Sequence, residues 1–206
     1  MARPNIVFYF SDQQRWDTLG CYGQKLPVTP NLDALAAQGV RFENTFTCQP
    51  VCGPARACLQ TGRYATQTGC FINGIAPQFG EIKTLAQYFN EAGYATAYVG
   101  KWHLATDRPK GLNYETSAIP QDRRGGYKDY WMAADVLEFT SHGYNGYVYN
   151  GDNERVPFTG YRADCINDFA IDFLHKRKDN PEPFFLFISQ IEPHHQNDHR
   201  RLLAFS

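Results

Sequence analysis

The sequence predicts a three-layer α/β domain built on a doubly wound sheet, and two observations support this fold class. Three short runs at residues 6–10, 94–99 and 184–188 are apolar and β-prone, as expected of strands covered on both faces. Between them lie segments with apolar residues at helical spacing, and such alternation is typical of α/β sheets. At 206 residues the chain supports one core, so a single domain is expected over residues 1–206.

The N-terminal part is predicted to contain a strand, a helix and a returning strand. The apolar run of residues 6–10 stops at polar Ser11 and Asp12. Thr29 followed by Pro30 is typical of a helix start, and Gly39 is typical of a helix end. Residues 40–46 are then expected to return as a strand.

The rest of the chain is predicted to add two helices, two strands and an insertion. A helix is expected from Thr84 to Gly93, followed by a buried strand at residues 94–99. Residues 106–160 are rich in Gly, Tyr and charge, and we interpret them as an insertion with hairpin-like segments at 144–149 and 154–158. A helix at 163–178 and a strand at 184–188 complete the pattern.

Composition removes several classes of function. The formal net charge is −1 and charged residues are scattered, so neither a nucleic-acid surface nor an anionic membrane anchor is expected. The first apolar run is too short for a signal peptide, which favours the cytoplasm if Met1 is the true start. The six cysteines lack paired C-x-x-C spacing, so we expect neither a disulfide framework nor a structural zinc site.

The segment from Cys52 to Arg63 contains the strongest candidate site residues, and a cysteine is its first residue. Pro54 suits the first turn of a helix and Gly62 its C-terminal cap, which places Cys52 at the helix N-terminus. Free backbone N–H groups favour a sulfate or phosphate there, and Arg56 adds a cation in the first turn. A simple helix cap with a buried thiol remains the alternative on these residues alone.

The same segment resembles the signature of the formylglycine-dependent sulfatases, C-x-P-S/A-R followed by L-x-T-G-R, at every position from Cys52 to Arg63. The resemblance implies an alkaline-phosphatase-like fold and conversion of Cys52 to formylglycine by a maturation enzyme. It also implies that one hydroxyl of the hydrated aldehyde attacks sulfur and that the other helps to expel sulfate.

A second resemblance predicts a metal site after the first strand. The segment from Pro4 to Gln14 looks like the family's first strand and the metal-binding pair behind it. Most members carry two aspartates there, whereas this chain has Asp12 and Gln13. The resemblance implies a divalent cation, calcium, on Asp12, Gln13 and the residue derived from Cys52, since an amide carbonyl still suits a hard cation. A plain polar turn is the alternative.

Further site residues are predicted at the ends of two later strands. Ligands of such sheets bind beyond the carboxyl ends of strands. Lys101 and His103 would face one side if their strand continued. By resemblance, Lys101 binds sulfate and formylglycine, His103 hydrogen-bonds the hydrated aldehyde, and His194 contacts sulfate or the leaving-group oxygen. A zinc pair at His195 and His199 is a minor alternative, because no Glu lies between them.

The overall expectation is a sulfuric ester hydrolase acting on a small-molecule or carbohydrate sulfate ester. The resemblance covers most of the chain from Pro4 to His195, whereas family members are usually more than twice as long. The chain is therefore interpreted as the N-terminal catalytic part of a sulfatase, without the later half that supplies further metal ligands and a second lysine. The rivals are a phosphate or phosphonate monoester hydrolase of the same superfamily and an inactive truncated fragment.

Overall fold

The computed structural model describes residues 3–195, which form one mixed six-stranded sheet with helices packed on it. The strands run as follows: β1 Ile6–Phe10, β2 Ala95–Lys101, β3 Tyr130–Ala134, β4 Asn145–Tyr149, β5 Arg155–Thr159 and β6 Phe184–Ser189. The α-helices are α1 Pro30–Gln38, α2 Cys52–Thr61, α3 Ala65–Thr68, α4 Leu85–Glu91, α5 Leu137–Thr140 and α6 Arg162–Arg177.

The sheet order is β1-β6-β2-β3-β4-β5, so the last strand in sequence lies between the first and the second. β1 pairs with β6, β6 with β2, and β2 with β3, all in parallel. β4 pairs antiparallel with β3, and β4 and β5 form an antiparallel hairpin at the end of the sheet. The carboxyl ends of β1, β6, β2 and β3 therefore meet at one edge, which is where parallel sheets place ligands.

Each face of the sheet carries its own hydrophobic core, which makes the fold three-layered. On one face α6 places Ile166 and Phe173 against strand residues such as Leu186. On the other face an aromatic core stacks Phe187 against Phe8 and Tyr98, with ring centroids 4.7 and 5.2 Å apart. These two cores confirm the predicted three-layer α/β class.

Two sequence-based expectations were wrong. Residues 40–46 form no strand; they lie exposed, and no described strand offers them a pairing partner. Residues 106–160 are not an insertion beside the fold, because they contribute β3, β4 and β5 to the sheet. The missed strand β3 reads Tyr-Trp-Met-Ala-Ala, and its pairing with β2 outweighs its weak local signal. The hairpin-like segments are confirmed as β4 and β5.

The remaining predicted elements are confirmed to within a few residues. Thr84 caps α4 by accepting a hydrogen bond from the Gln87 N–H, and Gly62 ends α2 in the left-handed conformation. Pro54 is the third residue of α2 and not the first. Within residues 3–195, no helix is both long and apolar enough to cross a bilayer.

Candidate active site

The predicted site residues meet in a cleft at the carboxyl edge of the sheet. The cleft has a volume of about 910 Å³ and lies where β1 ends and α2 begins. Its lining includes Asp12, Gln13, Cys52, Arg56, Asn73 and His194.

Cys52 is the first residue of α2, and the chain enters this helix from the extended residue Val51 without a side-chain cap. The next N–H, from Gly53, donates a 2.8 Å hydrogen bond to the Asn73 side chain. Burial raises the pKa of the Cys52 thiol, and neighbouring carboxylates add to this effect against the nearby cations. The residue is therefore a protonated thiol at a helix N-terminus, which suits a precursor better than a ready thiolate nucleophile.

Asp12 is the centre of the site, because three predicted residues contact its carboxylate. Oδ2 accepts from Lys101 Nζ at 2.9 Å and from Arg56 Nη2 at 3.1 Å. Oδ1 lies 3.8 Å from Cys52 Sγ. Burial alone would raise the pKa of Asp12, but the two cations outweigh it and lower the pKa from 3.8 to about 2.

Arg56 is fixed by bonds to the sheet. Its Nη1 donates to the Lys101 carbonyl at 2.8 Å and to Ser189 Oγ at 2.6 Å, and its guanidinium lies 5.2 Å from the centre of the Phe10 ring. Its Nε is buried and has no hydrogen-bond partner among residues 3–195. Arg56 therefore brings a rigid cation with one N–H still uncommitted.

Lys101 is fully buried at the end of β2, held between Asp12 and Glu138. Glu138 belongs to α5, and its Oε1 also lies 3.5 Å from His194 Nε2. Sequence reasoning missed Glu138. A usable signal existed, because Glu138 follows β3 closely and belongs to the same sheet edge once β3 is recognised.

The position of Lys101 depends on the glycine before it. Gly100 adopts φ +103, and a Cβ built there would lie 2.0 Å from the Ser189 carbonyl oxygen. Only glycine allows β2 and β6 to approach so closely at this point.

His103 reaches the site by a route that differs from the prediction. β2 ends at Lys101, so the strand alternation invoked for His103 does not apply. His103 instead adopts φ +58, and its N–H donates to the Asp135 carbonyl at 2.7 Å. Burial, together with the nearby Lys101 and Arg56 cations, lowers its pKa from 6.5 to about 3. Its Nδ1 is buried and lacks a hydrogen-bond partner within the described part of the chain.

The other two predicted residues lie at the mouth of the cleft. Gln13 is exposed with φ +58, and its Oε1 accepts a 3.1 Å hydrogen bond from the His195 N–H. His194 Nδ1 lies 2.6 Å from the His195 carbonyl oxygen. The alternative zinc pair cannot be assessed, because His199 lies outside the described residues.

The described residues do not by themselves fit a calcium ion. Calcium takes six to eight oxygen ligands. Asp12 has only Oδ1 away from the two cations, and the Gln13 carbonyl already accepts a hydrogen bond. The one metal-like cluster found in residues 3–195 is Asp12, Cys52 and His194, with one ligand atom of each within 4.8 Å of the others. It mixes oxygen, sulfur and nitrogen.

Fold and cleft together define a class: an α/β protein with a cysteine at a helix N-terminus beside two buried cations at the carboxyl edge of its sheet. Comparison with known proteins identifies the family. The family model described as Sulfatase matches residues 4–204, and the chain belongs to this family.

Individual relatives agree with this assignment. The chain is 39% identical over 204 residues to an uncharacterized sulfatase, YidJ, of Escherichia coli, covering 95% of this chain and 39% of that protein. It is 34% identical over 192 residues to an N-acetylglucosamine-6-O-sulfatase of Bacteroides thetaiotaomicron, covering 93% and 31%. The chain therefore spans well under half the length of these relatives.

Solved structures show the same fold. A structure in complex with its substrate D-glucosamine-2-N,6-O-disulfate matches with a TM-score of 0.77 and 32% identity, covering 93% of this chain and 35% of that one. A phosphonate monoester hydrolase of Agrobacterium radiobacter, at TM-score 0.61 and 22% identity, shares the fold alone. The sheet described above is thus the sulfatase form of the alkaline-phosphatase-like fold.

Proposed function

We propose that the protein hydrolyses a sulfate monoester, with Cys52 as the precursor of a formylglycine nucleophile. The observation that carries the proposal is the convergence on Asp12: one carboxylate contacts the Cys52 thiol and two buried cations, Lys101 and Arg56. A nucleophile precursor at a helix N-terminus beside two fixed cations is a site for attack on an anionic centre.

The cations of the site are suited to hold the sulfuryl group. Once Cys52 is formylglycine, its hydrated aldehyde supplies the attacking hydroxyl. Arg56 Nε and His103 Nδ1 are buried without partners among residues 3–195, so they are free to bind the anion and the aldehyde hydrate. Because these groups are fixed before substrate arrives, they stabilise developing charge without reorganisation.

His194 is assigned to the leaving-group side. It lines the cleft with Nε2 toward Glu138 and is partly exposed, whereas Arg56 and Lys101 are buried. This position suits contact with the bridging oxygen as the alcohol departs.

A divalent cation is part of the family-level proposal, with Asp12 and Gln13 as partial ligands. These donors are too few for calcium, so the remaining ligands would come from outside the described residues. The roles proposed for Cys52, Arg56 and the two histidines do not depend on the cation.

The substrate class we propose is a sulfated carbohydrate. One relative is named for N-acetylglucosamine 6-O-sulfate, and one structural neighbour is described with a disulfated glucosamine. The remaining partner in this proposal is a formylglycine-generating maturation enzyme, as the run from Cys52 to Arg56 implies.

Conversion of Cys52 is the direct test. The chain is co-expressed with a maturation enzyme, and tryptic peptides are analysed by mass spectrometry. We expect an aldehyde at Cys52 and unmodified thiols at Cys58 and Cys48, the neighbours in sequence. An intact Cys52 thiol, while a control sulfatase is converted in the same cells, would refute the proposal.

Substrate class is tested on an extended protein, because the chain spans only 31% to 39% of its two relatives. The converted chain is joined to the C-terminal part of a relative and assayed on aryl sulfate and aryl phosphate, with Cys52→Ala as control. Faster turnover of sulfate supports the proposal, whereas faster turnover of phosphate favours the phosphate or phosphonate hydrolase.

A further inference from the structure

The unconverted chain carries a donor set that differs from the one calcium needs. Asp12 Oδ1, Cys52 Sγ and a ring nitrogen of His194 supply one oxygen, one sulfur and one nitrogen, all within 4.8 Å of one another. Thiolate and imidazole are the ligands preferred by zinc and related transition metals, whereas calcium prefers oxygen.

The geometry is close to a tetrahedral site. Zinc bonds of about 2.3 Å to sulfur and about 2.0–2.2 Å to oxygen imply a sulfur-to-oxygen distance of roughly 3.5 Å in a tetrahedron. Cys52 Sγ and Asp12 Oδ1 already lie 3.8 Å apart. The His194 nitrogen lies within 4.8 Å of both atoms and would have to move closer by roughly 1 Å to complete the three ligands, which leaves a fourth position for water.

Hydrogen bonds outside the cluster orient two of its ligands. The His195 carbonyl only accepts, so His194 Nδ1 donates to it and Nε2 is the ring nitrogen that remains for a metal. Lys101 and Arg56 both bind Asp12 Oδ2, which leaves Oδ1 directed toward Cys52. Such outer partners are what fix ligands in zinc sites.

Charge around the cluster is balanced before a metal binds. Lys101 and Arg56 are offset by the carboxylates of Asp12 and Glu138. Binding of Zn²⁺ releases the Cys52 thiol proton to solvent, and the resulting thiolate neutralises one of the two added charges. Glu138 is already part of this balance, so the metal-loaded site carries one net positive charge, with the Glu138 carboxylate 3.5 Å from His194 Nε2.

We propose that Asp12, Cys52 and His194 form a binding site for a thiophilic divalent cation such as zinc in the chain before Cys52 is converted. The site shares residues with the proposed sulfatase function but does not rest on it. Conversion to formylglycine removes the sulfur ligand, so the modification itself would end zinc binding. A bound metal would in turn shield Cys52 from modification.

The experiment uses the full chain expressed without a maturation enzyme. Co²⁺, which adopts zinc-like tetrahedral sites, is added and the thiolate-to-cobalt charge-transfer band is recorded; Zn²⁺ is then titrated by calorimetry. We expect the band to appear, Zn²⁺ to bind at one site and abolish the band, and Ca²⁺ to give no comparable heat.

Variants assign the ligands. Cys52→Ser should abolish the band and weaken Zn²⁺ binding at least tenfold, and His194→Ala should weaken it similarly. Cys48→Ser and Cys165→Ser are the matched thiol controls and should leave both unchanged. Circular dichroism confirms folding, and His194→Ala keeps the test informative if Cys52→Ser unfolds. A band retained in Cys52→Ser, or lost in Cys48→Ser, would overturn the assignment.

Alkylation adds a measurement at the level of single residues. Zn²⁺ should slow the reaction of Cys52 with iodoacetamide severalfold while the exposed Cys48 reacts at its usual rate. Equal rates at Cys52 with and without Zn²⁺ would contradict the proposal. Failure of aldehyde formation at Cys52 would instead count only against the sulfatase mechanism, so the two ideas fail separately.

Discussion

The molecule divides into two regions that are packed very differently. The buried centre consists of β2, β3 and β6, in which every residue but Tyr130 is buried. The exposed margin consists of β1, α1 and residues 40–51; α1 buries none of its residues, and no residue of 40–51 is buried. Apolar residues fill 14 of 18 positions in the centre and 15 of 26 in the margin, so the margin leaves much apolar surface uncovered.

The site lies across this division. Lys101 and Arg56 are held by the buried centre, whereas buried Asp12 and exposed Gln13 directly follow β1 of the margin. The two cations are therefore held rigidly by the buried centre, whereas the predicted metal ligands Asp12 and Gln13 depend on the less tightly packed margin. Four predictions follow from this contrast, from the largest expected effect to the smallest.

Truncating one side chain in each region should give the largest difference. Phe187→Ala removes a ring that is 1% exposed and stacked on two others, so we expect a loss of about 3–5 kcal/mol in the free energy of unfolding. Leu35→Ala on α1, where the side chain is 66% exposed, should cost about 0.5 kcal/mol or less. Urea denaturation measures both, and equal losses would show that the margin is packed after all.

Removing a buried cation and an exposed cation should give the next largest difference in the free energy of unfolding. Lys101→Met removes the buried cation that pairs with buried Asp12 and partly buried Glu138, so we expect about 3–5 kcal/mol of destabilisation. Arg15→Met breaks an exposed pair with Asp17 outside the buried centre and should leave the unfolding midpoint unchanged. A small loss of stability in Lys101→Met would mean that solvent reaches the Asp12 and Glu138 carboxylates.

Acid should lower the free energy of unfolding, because His103 binds a proton more readily in the unfolded chain than in the fold. Its pKa is about 3 in the fold and 6.5 otherwise, so the unfolded chain binds a proton between these values that the folded chain does not. Stability is complete above pH 6.5 and falls as pH drops below it, by about 2 kcal/mol between pH 7 and 5. His103→Asn, which suits a positive φ, should remove that part of the slope. Denaturant titrations across this range measure it.

Polar substitution at the margin should change association and not stability. Val40 and Phe42 are highly exposed apolar residues, and such surface promotes self-association. The double variant Val40→Ser, Phe42→Ser should reduce light scattering at high protein concentration with an unchanged melting temperature. Ile171→Ser on α6 is the control outside the margin and should leave scattering as it was.

Elements with strong local signals were predictable from sequence. β1, β6, α1, α2 and α4 carry caps, terminal glycines or continuous apolar runs, and the structure confirms them. β3 was missed because its short aromatic and alanine run gains its strand form from pairing with β2. Residues 40–46 were predicted as a strand on local propensity, but a strand also needs a partner edge.

The convergence of residues inside motifs was predictable, whereas the place of residues that depend on topology was not. The contacts of Asp12, Cys52, Arg56 and Lys101 match the expectation that they converge. Glu138 has no motif of its own, and its place beside Lys101 follows only from the position of β3 in the sheet. The left-handed backbone of His103 was equally hidden, because no residue type marks it.

The place of β6 in the sheet also sets the order in which this protein can assemble during synthesis. β6 is the last described strand to leave the ribosome, yet it lies between β1 and β2 and supplies Ser189 to Arg56. Until it emerges, β1 lacks the one strand with which it pairs in residues 3–195, and Arg56 lacks its Ser189 partner. Translation from Cys52 to Ser189 takes on the order of ten seconds. During that time the cysteine is part of a nascent chain, open to any enzyme that acts before folding closes the cleft.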